Sequence, residues 1–379
     1  MASAPTISLL EAFEELSDPR ARECAYQLEE LLLAAICAVI SGAESWTSVV
    51  EWSQMKLDWL RQHLPFANGV ASHDTFGRVF SLLDAKQFEA CFMRWISGLC
   101  PSLEGQHVAI DGKCVRGSHD GKQSAIHLVS AWSSTTGLTL GQVKTADKSN
   151  EITAIPALLD ALDIKGSIIT IDAMGCQHDI AAKIVQSGAD YVLGVKDNQP
   201  GLAEAITLWF DAADAGKLDR PHWEDIQTEK DHGRIETRRC LVTNDVAWLQ
   251  EQKQHWSGLK SLVMIESTRE IIGRNGTGHP SIERRYYISS LPAKATLLGK
   301  TVRAHWGIEN SMHWVLDVAF REDDCRIRIG DAAQNFAILR RIALNLLKSD
   351  TTVKLGVANK RLKAGWNVDY LGKLLGLRN

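Results

Sequence analysis

Apolar residues at helical spacing open the chain. Leu28, Leu31, Leu32, Ala35 and Ile36 recur at the three- and four-residue steps that line one helix face, and Gly42 closes the run. Phe76, Val79, Phe80 and Leu83 repeat the pattern, with Ser72 or Asp74 placed to cap its start. Residues 1–100 are therefore predicted to be a helical domain. The second helix would carry Thr75 and Arg78 outward, either as a recognition helix entering a DNA groove or as one of three helices packed without DNA. From residue 106 the period changes. His107–Ile110, Ile126–Trp132 and Leu138–Val143 are short apolar runs, the last two joined by the turn-forming Ser133–Gly137, which predicts an antiparallel meander. Ser149 or Asn150 then caps a helix with Ile152, Ile155, Leu158, Leu159 and Leu162 inward. A strand at Ile168–Ile171, a helix at Asp179–Gln186 and a strand at Tyr191–Val195 follow. The order β-β-β-α-β-α-β makes the last two crossovers parallel βαβ units.

Residues 201–290 break this alternation. Glu224–Thr228 and Ile235–Val242 flank a turn at Asp231–Arg234, and Leu262–Ser267 and Arg285–Ser289 are further strands, so a β-rich insertion is expected. Helix is predicted again over Thr296–Leu316 and Asp331–Lys348. A short amphipathic helix is predicted around Leu371, Leu374 and Leu375.

Three of these elements present an acid. The first strand ends on Asp111, the fourth on Asp172, and the helix after the insertion carries Glu309. A sheet order of 3-2-1-4-5 would make the first two strands neighbours at the point where strand order reverses, where open α/β sheets bind ligands. Adjacent carboxylates repel unless a cation lies between them. Three carboxylates on rigid elements form a hard-oxygen cage suited to Mg²⁺, and Mg²⁺ points to phosphate chemistry. Each acid also has an ordinary reading: a strand-terminal Asp caps turns, and a helical Glu is usually solvated. Gly112, Ala173 and Gly175 are small enough to let a phosphate backbone approach. His305, Glu309 and His313 fall at i, i+4 and i+8, a stripe able to bind phosphate, polarise water or hold zinc. Asp317 and Glu322 compete with Glu309 as third ligand, and Trp306 and Trp314 are expected to be packing residues.

Composition adds a tension. A chain of 379 residues, 45% hydrophobic, buries a large core, but its net charge of −4 is poor for a polyanion partner. The charge is uneven: residues 1–60 carry ten acids and three bases, and residues 340–379 carry nine bases and two acids. The basic end is either a DNA-facing surface or a solvated helix. Eight cysteines include no C-x-x-C pair, which argues against a zinc finger or disulfide framework. No basic-then-apolar leader opens the chain, and Leu31–Ile40 is too short to span a bilayer, so a cytoplasmic protein without a membrane partner is expected.

Taken in order, the motifs His107–Arg116, Lys148–Pro156, Ile169–Gln177, Tyr191–Gln199, His232–Arg238, Arg303–Asp317 and Asp331–Leu346 resemble the insertion-sequence DDE transposases, specifically the H-repeat-associated proteins. The likeness runs from about residue 10 to 350. It implies an α/β, ribonuclease-H-like mixed sheet flanked by helices, made of residues 101–200 and 291–350 and interrupted by the insertion at 201–290. An N-terminal helical domain at 1–100 would precede it and a basic tail at 351–379 would follow. It further implies that Asp111, Asp172 and Glu309 are the catalytic and metal-binding triad, using Mg²⁺ with Mn²⁺ able to substitute. Lys113, Lys196, Asn198, Gln199 and Arg234 would contact double-stranded DNA. A better understood related group has Tyr, Arg and Lys around the glutamate. Val302, His305 and Leu316 stand there in this chain, leaving His305 as the substitute phosphate contact. The implied activity is Mg²⁺-dependent strand cleavage and transfer at the ends of a mobile element. A homodimer would act on two DNA ends in the bacterial cytoplasm, at the nucleoid when active. A nuclease without strand transfer, or a DNA-binding protein whose catalysis has decayed, are the rival outcomes.

Overall fold

The computed structural model describes residues 8–20, 24–119, 124–145, 151–231, 233–273, 276–277 and 280–377. The predicted caps Ser149 and Asn150, and His232 of the insertion turn, lie outside them. The chain divides into two compact units: Met1–Ser102, Gly112–Asn150 and Glu309–Asn379 form the first, and Leu103–Asp111 and Glu151–Ile308 the second. The cuts pass through strand β1 (His107–Cys114) and through the helical run at Ile308–Glu309.

In the first unit the helix Ala332–Ser349 is the central post. Nearly every side chain on it is buried, and it packs against the helices Leu28–Ile40, His73–Leu82 and Ala85–Leu99. The helix starts are set by polar caps: Ser72 accepts from the Thr75 amide, and Asp84 from those of Lys86 and Gln87. Trp46 lies against Phe80 and meets Phe336 edge-on, with ring centroids 4.7 and 5.0 Å apart. Thr75 is half-buried and Arg78 exposed on the outer side of the His73–Leu82 helix. Strands β2 (His127–Ser133) and β3 (Thr139–Thr145) form an antiparallel hairpin, and the order here is β3-β2-β1. Asn345 clamps β3 from the central helix, accepting from the Thr139 amide at 2.9 Å and donating to its carbonyl at 2.8 Å.

In the second unit the order is β1-β4-β5-β10-β8-β7-β6. The strands are β4 (Ile168–Ile171), β5 (Asp190–Val195), β6 (Trp223–Asp231), β7 (Arg234–Thr243), β8 (Ser261–Gly273) and β10 (Ser281–Ser289), with the two-residue β9 (Gly276–Thr277) pairing beside β8. The pairs β1–β4 and β4–β5 are parallel, and β10 runs antiparallel to β5. The insertion strands therefore continue the same sheet. Helix Ala295–His305 covers it with Leu298 and Val302, packed on Val192, Val242 and Val263. The architecture is a mixed α/β fold with a sheet, flanking helices and an N-terminal helical region. Among the described residues no helix is long and apolar enough to cross a membrane.

Four expectations need correction. Strand β1 does not stop at Asp111 but runs on to Cys114. Ile152 is 38% exposed, not on the inner face of its helix Glu151–Ala161. The continuous helix over Thr296–Leu316 breaks: it stops at His305, Glu309–His313 is a π-helical segment, and Trp314–Phe320 resumes as α-helix. Trp306 and Trp314 are exposed at 40% and 59%, and the Arg285 guanidinium sits 4.4 Å over the Trp306 ring.

Candidate metal centre

Parallel pairing sets the first two acids side by side. Ile110 and Ile171 are register partners, so Asp111 and Asp172 are the next residues on adjacent strands, which lie about 4.8 Å apart. The β-branched run Ile168–Ile171 holds β4 in the sheet, and Asp172 then turns the chain into the short 3-10 helix Ala173–Gly175. Its Oδ1 accepts from the amides of Met174 at 3.1 Å and Gly175 at 3.4 Å, so the capping role is real. Gly175 is required here, because a Cβ would fall on the Ile171 side chain. Asn198 donates to the carbonyls of Ala173 and Cys176, and Gln199 to that of Cys176 at 3.0 Å. Both side chains fix the loop after Asp172. Lys196 and Arg234 are exposed, and Arg234 lies 3.7 Å from Glu236.

Glu309 opens the π-helical segment, a distortion frequent at functional sites. Its Oε2 lies 3.1 Å from Nδ1 of the buried His313. That hydrogen bond, aided by the charge of Lys113, holds the Glu309 carboxyl below the usual range against the opposing effect of burial. Glu309 and His313 belong to the first unit, and Asp111 and Asp172 to the second. Carboxylates with one imidazole nitrogen are a donor set for a divalent cation. His313 is the member that sequence reasoning left out of the triad, although its i+4 spacing from Glu309 is visible in the chain.

The competing third ligands are engaged elsewhere. Asp317 accepts from Lys113 Nζ at 2.7 Å, and Lys113, only 8% exposed, also reaches Asp323 at 3.1 Å. Glu322 is fully buried in a pair with Arg341 at 2.6 Å. Lys113 is thus a buried, doubly paired cation. Burial lowers its pKa, but Glu322, Asp317 and Asp323 outweigh that and raise it.

The zinc stripe does not form. His305 lies outside the π-helical segment, and its Nδ1 meets Thr170 Oγ1 at 2.9 Å. Thr170 Oγ1 in turn meets His107 Nε2 at 2.8 Å. Burial, aided by the nearby Arg285 charge, takes His305 down to about 4, and burial with the neighbouring His305 takes His107 to about 4. His305 is thus uncharged at neutral pH.

The basic C-terminal stretch is also corrected. Arg340, Arg341, Lys360 and Arg361 are buried. Arg361 stacks over Phe320 and donates to the carbonyls of Val39 and Ala319, while Lys360 donates to those of Leu347 and Asp350. Four of the nine bases there are therefore used by the fold.

Comparison with known proteins agrees with this geometry. The family model described as "Transposase DDE domain" matches residues 102–346, and "DDE_Tnp_1-associated" matches residues 10–96. The chain is 43% identical over 353 residues to the H repeat-associated protein YhhI of Escherichia coli strain K12, covering 92% of both chains. It is 41% identical over 372 residues to YncI of Escherichia coli O157:H7, a candidate transposase by name, covering 97% of this chain and 94% of that one. With these matches over most of its length, and with Asp111 and Asp172 following the register partners Ile110 and Ile171, the chain belongs to the H-repeat-associated family of DDE-type transposases.

Proposed function

We propose that this protein cuts DNA at the ends of a mobile element and joins the freed ends to a target, with a ribonuclease-H-like core as its catalytic body. The observation that carries the reading is the β1–β4 register that makes Asp111 and Asp172 the next residues on neighbouring strands, in a chain of this family. The donor set fits Mg²⁺, with Mn²⁺ as substitute, because carboxylate oxygens dominate it and one imidazole is tolerated by the softer ion. Asp111, Asp172 and Glu309 would hold the ions. When bound, such ions acidify water or a 3′-hydroxyl and offset charge on the phosphate being displaced.

The chain supplies position. The β1–β4 pairing holds the two aspartates together, and the bonds from Asn198 and Gln199 hold the loop after Asp172. His313 fixes the rotamer of Glu309 and keeps it ionised. Lys113 offsets acidic charge without occupying a ligand position. The exposed Lys196 and Arg234 are the direct DNA contacts of this reading, with Lys113, Asn198, Gln199 and His305 acting through the residues they hold. Two copies would act together, one on each DNA end.

The test is nicking of a duplex carrying the sequence that flanks the gene, with Mg²⁺ or Mn²⁺. Asp111→Ala is expected to abolish nicking and leave duplex binding largely intact, and Glu309→Gln to lower metal affinity more than Asp317→Asn. Nicking retained in Asp111→Ala would refute the assignment. Nicked products never joined to a second DNA would make the protein a nuclease without strand transfer.

A further inference from the structure

The loop between the helices Trp314–Phe320 and Ala332–Ser349 forms, with Arg116 and Gly117 of the segment after β1, an open hollow of about 510 Å³. Arg116, Arg321, Arg326 and Arg328 line it, with Asp323 and Asp324 the only acids on its wall. All of these residues belong to the first unit.

This hollow is built. A Cβ at Gly117 would fall on the carbonyl oxygens of Asp323 and Cys325, so the two segments meet only because the residue is glycine. Arg328 Nε donates to the Gly117 carbonyl at 2.9 Å and ties the segments together. Arg321 takes a left-handed backbone, φ 47°, unusual for a residue with a side chain. At the far end, Gly330 rests on the Ser81 carbonyl, to which the Asp331 amide donates at 3.1 Å.

Its charge is only partly met. Asp323 lies 3.5 Å from Arg116 and is shared with Lys113, and Asp324 lies 3.1 Å from Arg321. Arg326 is exposed and makes no salt bridge among the described residues. Glu44 lies 3.9 Å from Arg321 as well, so four guanidinium groups meet three carboxylates, which leaves a positive site on a chain of net charge −4. Planar guanidinium forks match phosphate oxygens, and an open hollow admits a polymer passing through it. The hollow is also linked to Glu309 within the same unit: Asp323 bonds Lys113, and the charge of Lys113 acts on Glu309.

We propose that this arginine hollow seats a backbone phosphate of the DNA being processed, at a distance from the phosphate undergoing displacement. The inference rests on the transposase reading, and it assigns the loop 321–330 to DNA positioning.

The experiment measures binding of the full chain to a labelled duplex carrying the gene's flanking sequence, and to one of unrelated sequence, across a salt series. Each phosphate contact contributes about 0.9 to the slope of log affinity against log salt. The Arg116→Ala/Arg326→Ala variant is expected to flatten that slope by about 0.9, the share of the one phosphate seated there, and to weaken both duplexes alike, because a backbone contact carries no sequence information. Both side chains lie at the surface, Arg116 at 82% exposure, so the thermal melt should match wild type. The Arg116→Lys/Arg326→Lys variant should restore the slope. A wild-type slope in the alanine variant, or a lysine variant as shallow as the alanine one, overturns the proposal while leaving the transposase reading standing if wild type still nicks. Wild-type protein that binds neither duplex defeats both.

Discussion

Glu309 and Glu322 lie thirteen residues apart in the same unit, on the same side of the central helix in sequence, and their surroundings make them different acids. Glu309 is 57% exposed and held by one histidine. Glu322 is wholly enclosed, 2.6 Å from an equally enclosed Arg341. Burial opposes ionisation of Glu322, but Arg341, Arg340 and Lys113 prevail and keep its pKa low. The difference teaches that charge in this chain serves either the fold or the chemistry. Solvent access and the partner decide which, not residue type or local sequence.

The sharpest test of that separation exchanges charge for shape at each position. Glu322→Gln should cost about 3–5 kcal/mol in denaturant unfolding, because it leaves Arg341 buried without a counter-ion. Glu309→Gln should change stability by no more than about 0.5 kcal/mol, as surface substitutions do, while nicking is lost. Equal stability losses in the two variants would erase the distinction.

A second test uses acid. His107 and His305 are both brought down to about 4 in the folded protein, from an ordinary value near 6.5. The unfolded chain therefore binds protons first as pH falls, and the stability these groups contribute is complete above about 6.5 and lost progressively toward 4. The expected drop in unfolding free energy across that window is on the order of 3 kcal/mol for each histidine. A His107→Asn/His305→Asn variant should lose that part of the slope, and an unchanged slope would show that the buried pair titrates normally.

The smallest effect is expected on the outer sheet. Arg239 pairs with Asp214 at 2.7 Å and with Glu224, and Arg284 with Asp211 and Asp214, both at 2.8 Å. These are partly exposed pairs, Arg239–Glu224 across strands and the others to the helix Pro200–Asp214, and Arg239→Ala should cost about 1 kcal/mol or less, shrinking further in high salt. A loss as large as that of Glu322→Gln would mean that the outer strands, too, rely on charge for their fold.

How much of this is legible in the sequence follows from how local each cause is. The strands β4 and β5 announce themselves as apolar, β-branched runs, and the order of elements along the chain implies the parallel pair that places Asp111 beside Asp172. The continuation of β1 through Asp111, Gly112 and Lys113 does not, because polar residues there look like a strand end. They stay in the strand since Lys113 is buried against Asp317, two hundred and four positions away. The same remoteness hides the enclosed arginines: Arg361 is satisfied by the Val39 carbonyl, and no local pattern marks it as interior. His313 was visible by spacing but not by role. Gly307 is the one local sign of the break between His305 and Glu309, and a single glycine inside a helical pattern does not by itself end a helix.

The π-helical segment has one further consequence. A turn of this kind contains one residue more than a regular turn, so side chains after it are rotated by about 100° relative to where an uninterrupted helix would put them. Glu309 begins the turn, and Leu316 and Phe320 lie buried beyond it. Deleting a single residue between Asn310 and Met312 would let the helix close up with its composition nearly intact, yet swing the glutamate away from the hydrophobic anchor that aims it. The register of one turn, together with the hydrogen bond from His313, sets where that carboxylate points.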